Sequence, residues 1–172
     1  MKKIWKNKAF RICVTAVLVI VAILLAFRVP TRISAAEFNQ HTDLPIRLLE
    51  KGADWSSYTV MGGFGMNVFL REGETGSLEY QVSNWPDVIF GSQCVDYIIC
   101  RDTSVTICGL SVGDDIQHAK SAMTQLGFIP TRNDDQYERF GVIVTFRTAS
   151  GSNAISEIVI AVNGTNILGV VF

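Results

Sequence analysis

GDDIQHAKSAMTQLGFIP at residues 113–130, followed by VIVTF at 142–146 and ISEIVI at 155–160, carries the fold of this chain. Asp114 stands as an N-cap with Gln117 three residues on. This is a capping-box pattern, in which side-chain oxygens accept from the backbone N–H groups a new helix leaves unsatisfied. Ile116, Ala119, Met123 and Leu126 recur at helical spacing on one face. Gly127 stops the helix, Phe128 can fold back onto it, and Pro130 prevents continuation. Val142, Val144 and Phe146 then alternate with Ile143 and Thr145. After a turn rich in Ser, Gly and Asn at 148–153, Ile155, Ile158 and Ile160 continue the pattern. A helix and then an antiparallel meander is the expected unit.

Working towards the N-terminus, the same unit recurs in looser form. Thr42 or Asp43 caps a shorter helix from Leu44 to Lys51, with Gly52 as its stop and Leu44, Ile46, Leu48 and Leu49 as its buried side. Strand-like runs follow at 58–61, 66–70, 78–82, 87–90, 94–100 and 105–108, and Pro86 suggests an edge or bulge among them. Asp87–Phe90 with Val95–Ile99 parallels Val142–Phe146 with Ile155–Ile160. The expectation is an α+β domain of two helix–meander repeats, about 43–108 and 109–172, with two helices packed on an antiparallel sheet.

Charge is distributed unevenly. The 172 residues are 48 % apolar and 18 % charged, with a net charge of −1. Seven of the fifteen basic residues lie in the first 32 positions and all sixteen acidic ones follow, so the first piece carries +7 and the remainder −8. An acidic remainder offers no basic face for phosphates, which argues against a nucleic-acid partner. Residues 12–27 read ICVTAVLVIVAILLAF without a charge between Arg11 and Arg28. They predict a transmembrane helix, a signal anchor in residues 1–32, with the lipid bilayer as partner through 12–27. The basic end is then cytoplasmic, 33–42 a polar tether, and 43–172 an extracytoplasmic domain of a single-pass plasma-membrane protein. Cleavage near Ala35 and Ala36, which would release a secreted domain, is the alternative.

The run Gly109-Leu110-Ser111-Val112-Gly113-Asp114-Asp115, with Leu126-Gly127-Phe128, Val142–Phe146 and Ile155–Ile160, resembles the repeat of small extracytoplasmic bacterial domains of the β-lactamase-inhibitor-protein-like and SmpA/OmlA type. There a glycine-bounded turn opens a helix and a meander follows. The resemblance covers about 55 residues well and implies a non-enzymatic envelope protein that binds other proteins through its sheet. The apolar anchor and the absence of a lipidation cysteine depart from the outer-membrane branch.

Few constellations carry chemistry. His41 and His118 stand apart, with no ligand set at metal spacing and no cofactor motif. Cys100 and Cys108 flank a hairpin-like stretch and are disulfide candidates, with three buried thiols as the alternative. A nucleophilic cysteine paired with His118 lacks a third orienting group. Gly62-Gly63-Phe64-Gly65-Met66 fails as a phosphate cradle and reads as a turn, or as a contact loop presenting Phe64 and Met66 beside Trp55, Tyr58 and Trp85. Asn133, Asp134, Asp135 and Glu138 form a polar turn without calcium-loop spacing. The expected function is binding of a protein or peptide, not catalysis.

Overall fold

The computed structural model describes residues 8–63, 66–83, 94–133 and 135–162. Helix α1 runs Lys8–Phe38 and passes into a 3-10 turn at Asn39–His41. Strands β1 (Thr59–Gly63), β2 (Met66–Gly73), β3 (Gly76–Ser83) and β4 (Val95–Cys100) form a first meander. Helix α2 (Gln117–Gln125) precedes a second, β5 (Ile129–Pro130), β6 (Gln136–Arg139), β7 (Val142–Thr148) and β8 (Ile155–Val162). All eight strands join one antiparallel sheet in the order β1-β2-β3-β4-β8-β7-β6-β5. That order is palindromic: the last strand of each meander pairs with the last strand of the other, Ile99 opposite Val159 and Ile98 opposite Ile160.

The two halves share a turn. Before β4, Glu50 N–H donates to Arg47 O (3.1 Å) while the Glu50 carboxylate accepts from Arg47 N–H (2.6 Å). Before β8, Asp114 N–H donates to Ser111 O (3.2 Å) while the Asp114 carboxylate accepts from Ser111 N–H (2.8 Å). Each turn then pairs with the first residue of its meander's last strand. Leu49 N–H reaches Val95 O and Val95 N–H returns to Glu50 O; Gly113 N–H reaches Ile155 O and Ile155 N–H returns to Asp114 O. The preceding apolar residues, Ile46 and Leu110, are both buried.

Four expectations are corrected. The first concerns the membrane: among the described residues no helix is long and apolar enough to cross a bilayer. Sixteen apolar residues rise only about 24 Å, short of a ~30 Å hydrocarbon core. The signal anchor at 12–27 and the single-pass placement are therefore overturned; the helix runs on to a last turn docked on the domain. Second, residues 33–42 are no tether. Ser34, Ala35 and Phe38 are buried, Ser34 Oγ donates to Arg139 O (2.9 Å), and Phe38 sits edge-on to Phe128. With Ser34 and Ala35 buried in a helix, cleavage near Ala35 and Ala36 would cut into the core.

Third, 44–51 is not helical. Leu44, Ile46 and Leu48 are buried while Pro45 and Arg47 are exposed, a period of two. Pro45 disfavours the helical region for the residue before it, and the Asn39 side chain satisfies both backbone groups of Leu48. Among the described residues the first half therefore has no helix of its own after its turn. Trp55 lies there instead, stacked on Phe69 of β2 at 3.9 Å and edge-on to Tyr80 of β3. Fourth, 105–108 is not a strand of the sheet. Ile107 makes isolated bridges to Thr42 and Leu110, and Cys108 takes a left-handed φ of 56°. The strand expected at 87–90 lies outside the described residues.

Helix α2 starts later than its capping pattern implies. Asp114 is engaged in the turn, and Asp115 Oδ1 accepts from Gln117 N–H (2.8 Å) in its place. The C-terminus follows the expected stop. Gly127 has φ 75°, Gly127 N–H reaches Thr124 O, and Phe128 N–H reaches Met123 O, the paired bonds of a Schellman motif. Ala119, Met123 and Phe128 enter the core with Leu78, Tyr80, Ile98, Ile158 and Ile160.

Candidate binding face

Alternation along strands sends every second side chain to the face opposite this core. Ile99 and Val159 are buried, at 9 % and 5 % exposure, yet stand outside the core cluster. They form the centre of the second face. Register places one row across it as Leu70, Glu79, Ile99, Val159, Thr145 and Gln136, and the next as Val68, Gln81, Tyr97, Ala161, Ile143 and Glu138. Apart from Ile99 and Val159 these side chains are half-buried, so solvent reaches the face.

One edge of the face is ionic. Glu157 is 7 % exposed, and its two oxygens accept separately from Arg101 (2.5 Å) and Arg147 (2.7 Å). Arg101 also approaches Glu79 at 3.9 Å, and Glu79 accepts from the Gln81 amide at 3.0 Å. A carboxylate removed from water this far is stable only when paired, and two guanidinium groups do that here. Burial raises the Tyr97 phenol above its ordinary value, opposed by Arg147 and Arg101 and reinforced by Glu157 and Glu79.

The residues singled out in the sequence are dispersed. Trp55 is a half-buried packing residue, not a free contact. Met66 opens β2 opposite Gly63, while Phe64 and Trp85 lie outside the described residues. Cys100 and Cys108 are both buried and free. The flanking strands β3 and β8 occupy both edges of β4, placing Leu78 and Ile158 opposite Cys100, so no hairpin brings Cys108 across from it. Burial pushes both thiols up, Cys108 to about 12.

His41 and His118 are exposed. One surface cleft of about 450 Å³ runs along α2 past Gln117, Lys120, Ser121, Thr124 and Gln125. Another, about 360 Å³, is lined by Glu50, Gly52, Ala53, Trp55, Val82 and Cys94. Neither joins a nucleophile to a histidine base. Among the described residues no His, Cys, Asp and Glu group is placed to hold a metal ion. The sequence reading missed the open face because Ile99 and Val159 look like core residues in a one-dimensional pattern; only strand register assigns them a side.

No family model, curated protein or solved structure matches the chain.

Proposed function

We propose that this chain is a non-enzymatic binding domain that takes a protein partner on the open face of its sheet. The observation that carries this reading is the set of half-buried apolar side chains Val68, Leu70, Tyr97 and Ile143 around the buried Ile99–Val159 pair, edged by Arg101, Arg147 and Glu157. An apolar centre with a polar rim is the anatomy of protein interfaces. At about 4.8 Å between strands, the six strands of these rows span roughly 24 Å, a width compatible with an interface of ~800 Å² per partner. The raised thiols are poor nucleophiles, since thiolate is the reactive form, and this weighs against a cysteine enzyme. The resemblance noted in the sequence implies the same mode, binding through the sheet.

The test is affinity capture with the full chain beside its Tyr97→Ala and Arg147→Glu variants, each checked for native circular dichroism. A protein retained by the wild type and lost from both variants is the expected result. Identical captures on all three baits would sink the reading.

A further inference from the structure

The two ends of the sheet differ in a way the open face does not explain. The β5 end is blunted: it is two residues long, and one of them, Pro130, has no N–H to offer. The β1 end carries five residues, Thr59-Val60-Met61-Gly62-Gly63, paired among the described residues on one side only, to β2. None is charged and none is proline, so two of the usual protections of an edge strand are missing from β1. Val60 is 58 % exposed and Met61 44 % exposed. Val60 lies opposite Phe69, on the core side, and Met61 opposite Val68, on the open side, so the edge presents one apolar side chain to each face. A side chain built at Gly62 would meet nothing within 4 Å, which leaves the backbone there approachable.

We infer that β1 is an acceptor edge for an extended peptide segment of a partner protein, which adds to the sheet as a ninth strand. Every second residue of an edge strand turns its N–H and C=O outward, so the main chain supplies hydrogen bonds and Val60 and Met61 supply side-chain selectivity. The matching segment is uncharged where it meets these two residues. The length of the edge favours a peptide over a second copy of the chain. Five residues span about 17 Å, and two rigid sheets meeting along that line bury far less than the ~1,200 Å² of a stable dimer. A flexible segment, in contrast, can wrap both faces of the edge. The edge adjoins the open face at Val68, but its main-chain pairing stands whether or not that face binds, and Val60, on the core side, reads the two apart.

The test uses the full chain and a displayed library of random heptapeptides, with counter-selection on Val60→Lys and Met61→Lys. Both positions are exposed enough to accept lysine without disturbing the core. Ile129→Lys at the blunted edge, where Ile129 is 68 % exposed, is the control. The expected result is enrichment of uncharged, alternating sequences that bind at least tenfold more weakly to the two β1 variants and equally well to the control. The selected peptide should slow amide exchange within residues 59–62. Enrichment that is the same on wild type and Val60→Lys, or none at all, would overturn the inference. A concentration-dependent dimer abolished by Val60→Lys would also overturn it, by giving the edge to a second copy.

Discussion

Leu49 and Gly113 are the same position in the two halves of the sheet. Each has a left-handed backbone, φ 60° and 103°, and each donates its N–H to the first residue of its meander's last strand, Val95 or Ile155. One copy uses glycine, which adopts this conformation without strain, and the other leucine, which does not. Leu49 is held there while its side chain packs against the core.

The asymmetry predicts unequal substitutions. Gly113→Ala meets no neighbouring atom within 4 Å, so its cost is backbone strain alone, about 1–2 kcal/mol. Leu49→Gly relieves that strain and loses packing, so it should stay within about 1 kcal/mol of wild type. Urea midpoints measure both. An unchanged midpoint for Gly113→Ala would show that the shared turn is not constrained.

Asp96 sits at the irregularity in β4, where Tyr97 faces Gln81 and Val95 faces Val82. Burial pushes its carboxyl from 3.8 up to about 6. The folded state therefore holds this proton more tightly than the unfolded chain. The resulting stability is complete below about 3.8 and is lost as pH rises through 6. Asp96→Asn should remove that slope and stabilise the protein at pH 7 by roughly 3 kcal/mol. Denaturation at pH 4.5 and pH 7 tests it, and an equal slope in the variant would refute the assignment.

The buried thiols should resist alkylation. With Cys108 raised from 9.0 to about 12, iodoacetamide at pH 8 should modify Cys100 and Cys108 far more slowly in the native protein than in urea. Mass spectrometry of time points counts the adducts. The linkage has a defined sign: the neutral thiol is favoured on folding, so stability falls as pH rises above 9 and through 12. Native alkylation as fast as that in urea would contradict the burial described for both residues.

The last turn of α1 belongs to the domain. Phe38→Ala removes a ring that is 2 % exposed and packed on Phe128, and should cost about 3–4 kcal/mol. Arg139→Ala should cost less, about 1–2 kcal/mol, although it severs bonds to Leu126 O (2.8 Å) and Glu37 (2.6 Å), because the side chain is partly solvated. Thermal unfolding compares the two. An order reversed from this would mean that the helix end is held by charge and not by packing.

Local chemistry was legible where one signal dominated. Gly127 with Phe128 marked a helix end, and Val142–Phe146 marked a strand, because glycine geometry and alternation act within a few residues. The segment around Leu44, Ile46 and Leu48 was misread because its apolar residues satisfy both a helical and an alternating template. Pro45 was the discriminating residue. The shared turn was half visible: Ile46-Arg47-Leu48-Leu49-Glu50 and Leu110-Ser111-Val112-Gly113-Asp114 have the same apolar–polar–apolar order and an acid at the end. The exchange of Gly113 for Leu49 hid the match. Membership of the open face was not legible, since it depends on which strands meet across long separations.

The pairing of β4 with β8 gives the molecule a seam whose two sides are contributed by different halves of the chain. Severed anywhere between residues 101 and 154, the N-terminal piece would lose its neighbour and bare Val95–Cys100, a strand rich in isoleucine and without lysine or proline. Such a fragment is expected to aggregate through that strand, and its sedimentation would distinguish aggregates from a stable monomer. Integrity of the connecting chain, not only of the core, therefore guards this protein against sticking to its own fragments.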